Sequence, residues 1–127
     1  MRRPALVTVA LLALVACSPK ALVVSEDRSG ETVRIQPGQE LRIDLPENAS
    51  VGYTWEVTTD PDPAVLEFLG SDFVEDNPGT AGGGGVVSFR YAGTGPGTTE
   101  LVVSRDYRGE GIDRTFELTV EVDDTGS

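Results

Sequence analysis

From Asp113 to Val122 the chain alternates without a break: Phe116, Leu118, Val120 and Val122 are apolar, while Thr115, Glu117, Thr119 and Glu121 are polar. A period of two sends the two sets to opposite faces of a strand, whereas a helix would scatter both around its circumference. The pattern recurs in Leu41, Ile43 and Leu45, in Tyr53, Trp55 and Val57, in Val87, Phe89 and Tyr91, and in Leu101 and Val103. No window carries a helical period. Turn signals separate the runs at Gln36-Pro37-Gly38-Gln39, at Asp60-Pro61-Asp62-Pro63, at Asn77-Pro78-Gly79 and at Gly93-Thr94-Gly95-Pro96-Gly97, and each proline forbids continued pairing. The expectation is an all-β fold of seven to eight short strands, an immunoglobulin-like β-sandwich, with a small closed barrel as the structural alternative.

The strands are read as Thr32 to Ile35, Glu40 to Leu45, Tyr53 to Thr59, Val65 to Leu69, Val86 to Ala92, Thr98 to Arg105 and Asp113 to Val122. Leu22-Val23-Val24 is either a first edge strand or leader. Residues 70 to 80 are less regular, with local pairing of Phe73 and Val74, and a loop is expected from Asp106 to about Ile112.

Before these strands stand Arg2 and Arg3, an apolar run from Ala5 to Ala16, and Cys17, the sole cysteine. This has the basic, apolar and small-residue regions of an export signal, and the run is too short to remain as a spanning anchor. The junction Leu14-Val15-Ala16-Cys17 resembles the lipobox of bacterial lipoproteins, which implies cleavage before Cys17 and its acylation. The expected organisation is a signal peptide over 1–16, a lipidated cysteine and tether over 17–30, the sandwich over 31–122 and a polar tail over 123–127. The expected location is the cell envelope, lipid-anchored to the cell membrane or outer membrane.

With one cysteine no disulfide forms within the domain, so stability rests on the hydrophobic core. From Cys17 onward 8 basic residues face 21 acidic ones, a formal charge of −13, which disfavours nucleic acid as a partner. Histidine is absent. That removes the commonest general base and most zinc sites, and no carboxylate pair is singled out for glycosidase chemistry. An enzyme, a cofactor and a metal are therefore not expected. Calcium binding through Asp106, Glu110 and Asp113 has suitable oxygen ligands but not the dense loop of known sites.

Three stretches stand apart from the alternating frame: Asn48-Ala49-Ser50-Val51-Gly52-Tyr53-Thr54-Trp55, Gly82-Gly83-Gly84-Gly85, and Arg105-Asp106-Tyr107. Singly they read as a turn needing positive φ, a slack linker, and a strand end with a local ion pair. Together, in this order, they resemble the chagasin-like inhibitors of papain-type cysteine proteases. The signatures of that family are Asn-Pro-Thr-Thr-Gly-(Tyr/Phe)-x-Trp, Gly-x-Gly-Gly and Arg-Pro-(Trp/Phe/Tyr). The first stretch matches at Asn48, Gly52, Tyr53 and Trp55, the second in full, and the third at Arg105 and Tyr107.

The resemblance implies a sandwich whose three loops form a wedge that occludes a papain-like active-site cleft without chemistry. It makes Asn48, Ala49, Ser50, Val51, Gly52, Tyr53, Gly82, Gly83, Gly84, Gly85, Arg105, Asp106 and Tyr107 the protease-binding loops, with Trp55 as a buried support. Ser50, the glycine run and Tyr107 are the expected direct contacts. The expected partners are a papain-like cysteine protease and, through the lipid, a membrane; the domain itself is expected to be a monomer. Ala49 in place of proline frees the loop by about 0.4 to 1 kcal/mol. Val51 loses a hydroxyl and Asp106 adds a charge beside the aromatic anchor, so the three departures together weaken binding by about one or two decades. The competing reading is an envelope protein-binding or adhesion module that keeps the loops only as scaffold.

Overall fold

The computed structural model describes residues 19–76 and 83–124; the expected export signal, Cys17, the turn expected at Asn77-Pro78-Gly79, Gly82 and the last three residues lie outside them. Eight strands are present: β1 (Leu22–Ser25), β2 (Thr32–Ile35), β3 (Glu40–Glu47), β4 (Tyr53–Thr59), β5 (Leu66–Glu75), β6 (Gly85–Gly93), β7 (Gly97–Tyr107) and β8 (Ile112–Val122). They form two four-stranded sheets, ordered β1-β3-β6-β5 and β2-β8-β7-β4. The architecture is the immunoglobulin-like sandwich rather than the closed barrel. Leu22-Val23-Val24 is a strand and not leader: it runs parallel to β3, and β2 likewise runs parallel to β8.

The alternating residues meet between the sheets. Leu41, Ile43 and Leu45 of β3 and Phe89 and Tyr91 of β6 face Leu101, Val103, Phe116, Leu118 and Val120 of β7 and β8, all buried. Removing one such side chain from water stabilises by roughly 1.5 to 3 kcal/mol, which allows the domain to stand without a disulfide.

Three expectations are corrected. The run expected to end at Leu69 continues to Glu75 as one strand of ten residues. Its register shifts between Phe68 and Gly70, where Gly70 sits at φ +148°, and after Leu66 neither face is buried. A bulged strand at a sheet edge has no alternating burial to imprint on its sequence. Second, β7 extends through Asp106 to Tyr107, so the loop expected from Asp106 is a short hairpin tip over 108–111. A register shift between Arg105 and Asp106 accommodates the extension. Third, Gly85 is buried and opens β6 instead of belonging to the loop before it.

Register fixes where the connections fall. Glu47 pairs with Gly85, at the end of β3 and the start of β6. Glu75 pairs with Gly85 at the end of β5, and Tyr53 with Tyr107 at the start of β4 and the end of β7. The β3–β4, β5–β6 and β7–β8 connections therefore share one pole. The opposite pole holds the turn at 36–39 and the start of β1, where Leu22 pairs with Leu41.

Candidate functional site

The β3–β4 connection is a single 3-10 turn, Ala49–Val51, closed by Gly52 at φ +97°. Asn48 O accepts from Tyr53 N at 2.9 Å and Gly52 N donates to Ala49 O at 3.1 Å, so the loop is tied across its own neck. Ala49, Ser50 and Val51 are exposed at its crest. Trp55 stands beneath it. Its indole Nε1 donates to Pro46 O at 2.7 Å, its backbone N donates to Glu47 Oε1 at 2.8 Å, and its side chain is buried. A tryptophan held by both ends of its polarity is a fixed post.

Of the glycine run, Gly83 and Gly84 belong to the β5–β6 connection. Gly84 O accepts from Asp76 N at 3.1 Å. A Cβ on Gly84 would lie 3.3 Å from Glu47 O and 3.5 Å from Asn48 Cβ, so Gly84 itself rests directly against the first loop. Asn48 Oδ1 is shut off from solvent there without a donor. Between them, lined by Pro46, Glu47, Asn48, Tyr53, Gly84 and Arg105, is a shallow cleft of about 190 Å³.

The β7–β8 hairpin closes the edge from the other side. Tyr107 stacks on Tyr53 with ring centroids 4.7 Å apart, and Arg105 lies over the Tyr53 ring at 4.4 Å. Arg105 is a support held in place by Asp113, with Nε to Oδ1 at 3.0 Å and Nη2 to Oδ2 at 2.6 Å. That hydrogen bond, ahead of the bare charge attraction, holds the Asp113 carboxyl below its ordinary range and raises the guanidinium. Asp106 does not project its charge beside Tyr107 as the sequence suggests. Its carboxylate turns into the hairpin and accepts from Gly109 N at 2.6 Å and Gly111 N at 3.2 Å, closing the tip as an Asx turn does. With Asp106 and Asp113 so engaged, no group of three metal-ligating side chains is found among the described residues.

Residues 34–120 match the family described as Chagasin family peptidase inhibitor I42. The chain belongs to the chagasin family of peptidase inhibitors. Amoebiasin-1 of Entamoeba histolytica is 33% identical over 105 residues, which cover 78% of this chain and 97% of that protein. The crystal structure of the cysteine protease inhibitor EhICP2 from Entamoeba histolytica superposes with a TM-score of 0.70 at 17% identity, covering 82% of this chain and 96% of that one. PbICP-C, solved in complex with falcipain-2, gives 0.58 at 19% identity, covering 83% and 100%. At these identities the two structures speak for the fold, and nothing among the comparisons favours the adhesion-module reading.

Sequence reasoning missed two participants. Glu47 bonds the Trp55 backbone, and its place opposite Gly85 emerges only from strand pairing. Arg108 donates its backbone N to Gly52 O at 2.9 Å and its Nε to Val51 O at 3.4 Å. Its guanidinium lies 5.1 Å from the Tyr107 ring centroid. The one signal in the sequence was its position directly after the aromatic residue of the third motif.

Proposed function

We propose that this chagasin-family chain inhibits papain-like cysteine proteases by seating its three-loop pole in the active-site cleft. The observation that carries this reading is mechanical continuity. Loop one is joined to the β7–β8 hairpin through Arg108 N to Gly52 O and the Tyr53–Tyr107 stack, and it rests against Gly84 on its other flank. A first loop and a β7–β8 hairpin tied together before binding lose little further conformational entropy on insertion, which favours affinity without any chemical step. In this reading Ser50 at the crest, the glycine backbone and the Tyr107 ring make the contacts, and Trp55 and Arg105 hold them in position.

The glycine connection suits main-chain pairing with an extended cleft, because without Cβ atoms the two backbones can approach closely. Falcipain-2, the partner of the structural neighbour PbICP-C, gives the class of enzyme from which to draw targets. Titration of papain with the domain lacking residues 1–17 tests the proposal: stoichiometric loss of hydrolysis is expected. Undiminished hydrolysis at micromolar domain would overturn it.

Export and anchoring form the second part of the proposal. The basic start, the Ala5 to Ala16 run and Cys17 support a lipid-anchored envelope inhibitor. Expression of the full chain should give a membrane-bound product whose mass carries acyl chains on Cys17, and Cys17→Ser should release it.

A further inference from the structure

Six of the seven arginines among the described residues, Arg28, Arg34, Arg42, Arg90, Arg105 and Arg114, have a carboxylate of this chain within ion-pairing distance. The seventh, Arg108, has none. In a chain with 21 acidic residues this is a feature of place: Arg108 is exposed at the tip of the β7–β8 hairpin, on the proposed binding pole. Of the two acids within two residues of it, Asp106 is occupied by the Gly109 and Gly111 amides, and Glu110 is exposed at the tip without an ion pair to Arg108.

Arg108 is also held there. Its backbone has φ +54°, which a bulky L-residue adopts only when surrounding contacts fix it. Its amide bonds Gly52 O, its Nε bonds Val51 O, and its stem occupies the space that a Cβ on Gly52 would fill. Stacking on Tyr107 removes water from one face of the guanidinium. The terminal nitrogens remain as a pre-set donor fork, the geometry that carboxylates match best.

We propose that Arg108 is a specificity-determining contact that pairs with a carboxylate on the rim of the target protease's cleft. The proposal rests on the cleft-occluding reading above and names a feature of the partner. The domain is strongly acidic as a whole and repels an acidic rim, so a carboxylate partner for Arg108 fixes register and selects among papain-like enzymes.

The test uses whichever member of a panel of papain-like proteases the wild-type domain inhibits most tightly. Arg108→Met keeps the apolar stem and drops the charge; Arg108→Lys keeps the charge. Arg108→Met is expected to raise Ki about tenfold, to slow association and to flatten the salt dependence of Ki. Arg108→Lys should recover part of the loss at low salt. Melting temperatures are measured alongside, and the Lys-to-Met comparison decides the matter even if both variants melt earlier than wild type. Unchanged Ki in Arg108→Met overturns the proposal. So does equal weakening of both variants at low and high salt, which would make Arg108 a clamp between loops and nothing more. A wild-type domain that inhibits no member of the panel removes the cleft-occluding reading itself, and this one with it.

Discussion

Gly52 does two jobs that no other residue can combine. At φ +97° it closes the 3-10 turn, and its missing Cβ leaves the space into which the Arg108 stem packs. Gly52→Ala should cost about 1 to 3 kcal/mol of stability, read as a lower urea midpoint. It should also weaken inhibition by more than that stability loss explains, because the third loop is displaced. Tyr91 offers the opposite case, a residue whose polar atom contributes nothing favourable. Its ring is buried beside Phe68, its hydroxyl has no partner, and burial, with a smaller contribution from the Asp60 charge, pushes its phenol up to about 12. Tyr91→Phe should leave stability at neutral pH unchanged or raise it by up to about 1 kcal/mol. A folded-state value above the unfolded one contributes stability that is full below pH 10 and lost as pH rises toward 12. The wild-type domain should thus lose roughly 2 to 3 kcal/mol across that window that Tyr91→Phe retains, measurable by chemical denaturation at a series of alkaline pH values.

Where the β5–β6 connection meets β6, adjacent glycines have different duties. A Cβ on Gly85 would run into the Val74 carbonyl and the Phe73 ring, whose atoms lie within 2.9 Å, so Gly85 is what lets β5 and β6 pair at this end. Gly85→Ala should destabilise the domain by about 1 to 3 kcal/mol, as overpacking does, and lower its melting temperature. The nearest atoms to a Cβ on Gly84 belong to Glu47, at the end of β3, and to Asn48 of the neighbouring loop, none closer than 3.3 Å. Gly84→Leu should part the two loops and weaken inhibition at least about tenfold while shifting stability by under about 1 kcal/mol. Equal effects of the two substitutions on melting would contradict this division. The pairing that decides between these neighbours, Glu47 to Gly85 and Glu75 to Gly85, joins residues far apart in the chain.

Across the whole molecule the two poles are separated by the length of β3, eight residues or about 26 Å. The chain enters at the pole opposite the loops: Leu22 pairs with Leu41, and Gln39 Nε2 donates to Lys20 O at 2.8 Å. A lipid on Cys17 would therefore hold the proposed binding pole away from the bilayer. The acylated chain in vesicles should inhibit a soluble papain-like enzyme with the same Ki as the free domain; marked weakening on vesicles would contradict this orientation. With a single cysteine in the chain, reductant should leave the melting temperature of the domain unchanged.

The alternating residues of β3, β6, β7 and β8 determined the fold class by themselves, because a period of two with one apolar set has a single outlet, a sheet with one buried face. The three motifs stood out as local departures from that alternation, but their sharing one pole was implied by the family resemblance and not by the pattern. What local pattern does not encode is which strands become neighbours. Long-range pairing decided that β5 runs on past Leu69. Pairing also brought Arg108 against Gly52, and left it the one arginine among the described residues without a carboxylate of its own chain. Those outcomes depend on register and on distances between residues remote in sequence, and such quantities exist only once both sheets have closed over the core.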